Sequence, residues 1–176
     1  VTESKSGRQA IRGRIFIDAT GDADLAAHAG APCHKGDDRG VLQSPSMMFL
    51  IGGVDNERAE GEGIPHIEER ILTAEKKGLF SFPRHSVIVR PQPSYGIYRA
   101  NMTRSRREDG FIDGTRVEDL TYAELEGRRQ VEMYARFLKE HVPGFENSYI
   151  IESGPAVGIR ETRRIKGVYT LQEGDV

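Results

Sequence analysis

Apolar and polar positions change period several times along the chain, and each change marks an element. Val1-Thr2-Glu3-Ser4 runs as a strand into a Lys5-Ser6-Gly7 turn, and the chain returns through Ala10 to the apolar run Ile15-Phe16-Ile17, a predicted hairpin. A small-residue turn follows, and a helical pattern starts at once, with Asp22 as N-cap, Asp24 in the first turn and Gly30 as the C′ stop. Residues Pro32 to Gln43 are polar and glycine-rich, which predicts a loop. Ser46 to Ile51 reads as a buried strand closed by Gly52-Gly53, and the charged stretch Asp55 to Gly63 as a surface loop. Pro65 suits the first position of a helix. Ile67, Ile71, Leu72 and Ala74 then follow at helical spacing up to Gly78.

Ser86–Arg90 and Tyr95–Met102 predict two strands paired about Pro91-Gln92-Pro93. Arg104 to Asp119 is polar, with turn signals at Asp109-Gly110 and Asp113-Gly114. Thr121-x-x-Glu124 has the form of a capping box, opening a helix through Leu125, Met133, Phe137, Leu138 and Val142 that Pro143-Gly144 breaks. Ser148–Glu152 predicts a further strand, and Val157–Leu171 one or two more. The alternation is irregular and no internal repeat is present. It predicts an α+β fold of α/β derivation, a mixed, largely antiparallel sheet with packed helices.

Composition narrows the classes. The 176 residues carry 27 acidic against 25 basic groups, so no net field draws the chain to nucleic acid or to an anionic membrane. No apolar run is long enough to span a bilayer and no signal peptide is visible. Cys33 stands alone, which excludes an intrachain disulfide and fits a reducing, cytoplasmic setting. The chain opens on a strand already under way, without an initiating Met, and Thr170 to Val176 carries no stop signal. These ends predict an internal fragment of a longer protein. Its exposed apolar surface would favour self-association into a homo-oligomer.

Two stretches concentrate candidate chemistry. In Ile15 to Ala27, a strand enters a turn where Thr20 and Gly21 leave no bulk in the way, and Gly21 is free to take φ > 0. Such a unit aims a helix N-terminus at a bound group, or it is plain architecture. No phosphate-binding glycine loop accompanies it. The run Gly158-Ile159-Arg160-Glu161-Thr162-Arg163-Arg164-Ile165-Lys166-Gly167 is the densest in functional groups. As a strand it would place Arg160 and Thr162 on one face, and Glu161 and Arg163 on the other. A guanidinium fork there either clamps a carboxylate or phosphate or belongs to a solvated basic edge.

The remaining candidates are weaker. Cys33, His34 and His28 match no zinc spacing, so no metal is expected, and no base partners Cys33. His85 and His141 read as surface or packing residues, and Tyr95, Tyr98, Phe80 and Phe82 as core or pocket lining. Arg104, Arg106 and Arg107 form a basic knot, but Glu108 and Asp109 follow and no aromatic interleaves, which speaks against nucleic acid.

Taken in order, Ile17-Asp18-Ala19-Thr20-Gly21-Asp22-Ala23-Asp24-Leu25-Ala26, Val142-Pro143-Gly144-Phe145-Glu146-Asn147 and Gly158-Ile159-Arg160-Glu161-Thr162-Arg163-Arg164-Ile165, with Tyr169-Thr170-Leu171 behind, resemble one family. It is the bacterial FAD-dependent oxidoreductases of the glutathione-reductase-like flavoprotein superfamily. The resemblance implies a two-domain flavoprotein. Residues 1–43 would flank the FAD, with Ala19, Thr20, Gly21 and Asp22 as cofactor contacts. Residues 44–157 would form the substrate domain over the isoalloxazine, and 158–176 would return toward the flavin. It places Arg160 and Arg163 near the flavin or substrate pocket as catalytic candidates, and Asn101 as a further one.

The family's opening Gly-x-Gly-x-x-Gly unit and its closing glycine segment are not in this sequence. FAD is therefore implied for the parent protein, and the fragment is expected neither to hold it nor to turn over alone. The implied reaction is hydride or two-electron transfer between FAD and a small organic substrate. The implied partners are that substrate and a dinucleotide-binding domain of the same protein. A non-catalytic ligand-binding or interaction domain on the same scaffold is the alternative.

Overall fold

Along Met47 to Ile51, Met47, Phe49 and Ile51 are buried while Met48 is exposed and Leu50 half-buried. That period of two builds one core-facing and one open side. The computed structural model describes residues 1–108 and 110–175. Asp109, with the turn signal at Asp109-Gly110, and Val176 lie outside the described residues. The chain divides into two units, residues 35–162 and residues 1–34 with 163–176.

In the larger unit, β4 (Phe49–Gly52) lies between β6 (Tyr98–Asn101) and β7 (Tyr149–Ser153), and β5 (Ile88–Pro91) flanks β6. All three pairings are antiparallel, with Leu50 opposite both Arg99 and Glu152, and Arg90 opposite Arg99. The core joins Phe49, Ile51, Val89, Tyr98 and Ala100 of this sheet to α3 (Ile67–Lys76) and α4 (Val117–His141). Phe82 is the hinge of an aromatic cluster, its ring 5.2 Å from Tyr134 and 5.0 Å from Phe137. The fold is α+β, an antiparallel sheet with packed helices.

Several elements depart from expectation. Asp55 to Gly63 is helical rather than a loop. The Asp55 side chain accepts from Arg58 N–H and starts α2 (Asn56–Arg58), which continues through a π turn at Ala59–Gly63 and a 3-10 turn at Ile64–His66 into α3. α4 begins at Val117, ahead of Thr121, whose hydroxyl donates back to the Val117 carbonyl instead of capping. The buried Asp119 carboxylate there accepts from Asp113 N–H and so ties the preceding loop to the first turn of α4. Phe80, Phe82 and Tyr98 are core, while Tyr95 is 73% exposed.

In the smaller unit, β1 (Thr2–Ser4) and β2 (Gly7–Gln9) form the expected hairpin about Lys5-Ser6. The strand does not extend to Ile17. Residues 10–20 hold no strand, and Ile15 and Ile17 are more than four-fifths exposed. An apolar run becomes a strand only where a neighbour takes its N–H and C=O groups. Among the described residues none lies beside it. The expected loop at Pro32–Gln43 instead contains β3 (Cys33–Lys35), which pairs with β8 (Arg163–Ile165). α1 (Asp24–His28) is short and ends in a Schellman turn. Gly30, at φ 88°, donates to Ala27 O, and Ala31 N–H reaches Ala26 O.

Candidate functional site

The turn before α1 is organised by Asp18. Its carboxylate accepts from Thr20 N–H at 2.9 Å, Thr20 Oγ1 at 2.7 Å and Ala26 N–H at 2.8 Å. Thr20 Oγ1 in turn accepts from Asp24 N–H at 3.3 Å. The Ala26 bond, followed by those from Thr20, holds the Asp18 carboxyl below its usual range. Asp22 is therefore not the N-cap. Ala23 occupies that position in the left-handed region at φ 54°, and Gly21 lies outside that region. Helix-start amides that were expected to face a ligand are taken by the chain's own side chains. What the turn presents outward is Ala19, Thr20 and Gly21, all exposed, with no atom within 4 Å of a Cβ placed on Gly21.

Asp18 is the anchor of this turn. Its signal is the Asp-x-Thr spacing, which suits a side chain that bonds its own backbone two residues on. Arg163 belongs to the same local structure. Its Nη1 donates to Asp22 O at 3.0 Å and Asp24 Oδ1 at 2.5 Å. One nitrogen thus closes the turn from behind, as an internal ion pair.

Arg160 and Asn101 lie in the larger unit, in different company. The extended segment Ser44–Met47 is laid between two others. Ser46 exchanges both backbone bonds with Gly158, Ser105 N–H donates to Pro45 O, and Thr103 Oγ1 bonds both the N–H and the C=O of Met47. Along 103–106 the buried Thr103 and Ser105 alternate with the more open Arg104 and Arg106. Arg160 Nη2 donates to Ser46 Oγ at 2.7 Å, Arg106 Nε to Ser44 Oγ at 3.3 Å, and Arg84 Nη1 to Asn101 Oδ1 at 3.4 Å. The expected strand over 160–163 does not form, since β8 starts at Arg163, so the face-sharing of Arg160 with Thr162 falls away.

α4 holds the backbones of three arginines, Arg84, Arg104 and Arg106. Tyr134 Oη donates to Arg84 O at 2.7 Å, and Tyr122 Oη to Arg106 O at 3.0 Å. Gln130, buried at 1% exposure, grips Arg104 from both sides, accepting from its N–H at 2.7 Å and donating to its C=O at 3.0 Å. Tyr122, Gln130 and Tyr134 fall on one row of the helix at multiples of four. Burial, then the positive charges of Arg106, Arg84 and Arg160, push the Arg104 guanidinium below its ordinary value. Among the described residues, none of these four arginines is bonded to a carboxylate.

Other candidates have ordinary settings. Cys33 Sγ donates to Ala31 O, His34 Nε2 accepts from Arg164 Nε, and His85 Nε2 lies 2.8 Å from Glu75. His141 packs edge-on to Phe80. Among the described residues there is no cluster of three or more His, Cys, Asp or Glu suited to a metal ion. No helix among them is long and apolar enough to cross a membrane.

No curated protein and no solved structure matches this chain. A family model does, described as FAD dependent oxidoreductase, and it matches residues 1–176. With that match over its whole length, the chain belongs to the FAD dependent oxidoreductase family.

Proposed function

We propose that this chain is the substrate-handling portion of a flavoprotein oxidoreductase, together with one wall of its flavin site. The reaction is transfer of a hydride or electron pair between FAD and a small organic substrate. The observation that carries this reading is the arginine cluster joined to Asn101 and Arg160, found in a chain of an FAD dependent oxidoreductase family. Residues 44–157 are read as the substrate domain, 1–43 as the flavin-flanking segment and 158–176 as the return toward the flavin. When bound, the flavin supplies the redox chemistry.

The turn fits one part of that cofactor. Ala19, Thr20 and Gly21 offer a surface of small residues open to close approach, supported from behind by Asp18 and Arg163, with Asp22 next in line. It does not fit the diphosphate, because the amides of Thr20, Asp24 and Ala26 already have side-chain partners. A glycine-rich dinucleotide-binding part of the same protein, absent from this sequence, would have to supply that cradle. The exposed Ile15, Phe16 and Ile17 are the surface proposed to meet it. The single cysteine favours a cytoplasmic, reducing setting.

The test is the visible spectrum. The natural protein that contains this chain is expected to purify with oxidised flavin, and to lose that absorbance when an electron-donating substrate is added without oxygen. The chain alone is expected to lose FAD on gel filtration. A natural protein that stays colourless after incubation with FAD overturns the reading.

A further inference from the structure

Among the described residues, four guanidiniums are gathered with no carboxylate bonded to them. Such charges repel one another, and a fold keeps such a group where a ligand supplies the missing charge. We propose that Arg84, Arg104, Arg106 and Arg160 bind a small organic polyanion, a substrate bearing two or more carboxylates. This names the substrate class of the oxidoreductase proposed above and rests on that reading for the word substrate. The binding itself does not.

Three observations carry it. The arginines come from three separate parts of the chain, and Arg106, Arg160 and Arg84 donate to neutral oxygens, Ser44 Oγ, Ser46 Oγ and Asn101 Oδ1 respectively. Each of those bonds takes one N–H and leaves the rest of the fork for a carboxylate, which it matches in a bidentate way. Next, α4 fixes three of the four backbones through Tyr122, Gln130 and Tyr134, with Gln130 itself buried. Finally, three neighbouring acids are engaged elsewhere. Glu75 takes Phe82 N–H and His85, Glu126 takes Arg129 and Gln130, and Glu161 takes Gln43 N–H. A monocarboxylate would leave most of the positive charge uncompensated, so the site selects for at least two anionic groups. Phosphate shares this chemistry. A dinucleotide's diphosphate, however, is held mainly by backbone amides at a glycine-rich turn, which this cluster lacks.

The experiment is calorimetric titration of this chain, without flavin, using citrate, glutarate, acetate and ADP as probes. Citrate or glutarate is expected to bind at least tenfold more tightly than acetate or ADP, and more weakly as salt is raised. Arg160→Gln and Arg106→Gln, both at exposed positions, are each expected to weaken that binding about tenfold or more with an unchanged circular dichroism spectrum. Arg39→Gln, which removes an exposed arginine paired with Asp37, is expected to leave it unchanged. The proposal is overturned if no dicarboxylate outbinds acetate, or if Arg160→Gln and Arg106→Gln bind as the parent does. Tightest binding of ADP, or of an added single-stranded oligonucleotide, overturns it equally. A failed titration beside a yellow natural protein removes the substrate class and keeps the flavoprotein. Carboxylate binding beside a colourless one does the reverse.

Discussion

A carboxylate that accepts three hydrogen bonds is stabilised in its ionised form, and Asp18 is such a group. Its folded pKa is depressed, so its contribution is complete above the unfolded value of about 4 and is lost as pH falls through the lower folded value. The amide resonances of Ala26 and Thr20 are expected to titrate together with a midpoint below the ordinary aspartate value. A midpoint at the ordinary value would refute the assignment. Asp18→Asn puts an amide group where Ala26 N–H needs an acceptor, and should speed Ala26 hydrogen exchange at neutral pH. Arg163 and Arg160 separate at this scale too. Arg163 closes the turn on Asp22 and Asp24, so Arg163→Ala should loosen the smaller unit by about 1 kcal/mol while carboxylate binding stays at the parent value. Hydrogen exchange and the same calorimetric titration check the two halves of that expectation.

Among the elements, local period and turn chemistry revealed those whose signal is contained in a few neighbouring residues. The β5–β6 hairpin, β7, the apolar face of α3 with its stop at Gly78, and the stop of α1 at Gly30 are of this kind. The charged stretch Asp55–Gly63 is different, since tertiary contact makes it helical. Ala59 is fully buried beneath the Pro143-Gly144 corner, and Gly144 O accepts from Asp55 N–H. Gly144 has φ 88°, and a Cβ there would lie 2.4 Å from Ala59 N and 2.8 Å from Asp55 O. Gly144→Ala therefore combines left-handed strain with backbone overlap, and is expected to cost about 2–4 kcal/mol in urea unfolding. A loss under 1 kcal/mol would mean that the corner and the π turn are not in register as described. The same logic explains α4, whose start depends on Asp119 meeting Asp113 N–H rather than on the Thr121 box.

At the scale of the molecule, legibility follows how far apart the cooperating residues lie. Arg160 and Asn101 were visible as candidates from local pattern and resemblance. Arg104 and Arg106 showed only as part of a basic knot with Arg107, and Arg84 not at all, because what unites them is a row on α4 and a three-segment ladder that no short window contains. The same long-range packing divides the chain unequally. Every residue of the hydrophobic core cluster lies between Met47 and Val157, inside the 35–162 unit. The smaller unit, 1–34 with 163–176, buries Ala23 alone of its apolar side chains among the described residues and is held by the Asp18 and Arg163 hydrogen bonds. Since burial of apolar surface dominates folding free energy, residues 35–162 expressed alone should retain nearly all the stability of the chain. The expected result is a urea midpoint close to that of residues 1–176, with slow amide exchange in β4, β6 and α4. In the full chain, amides of the smaller unit should exchange far faster than these, through local opening that leaves the sheet intact. A 35–162 chain that fails to unfold cooperatively would show instead that the smaller unit is part of the core's folding unit.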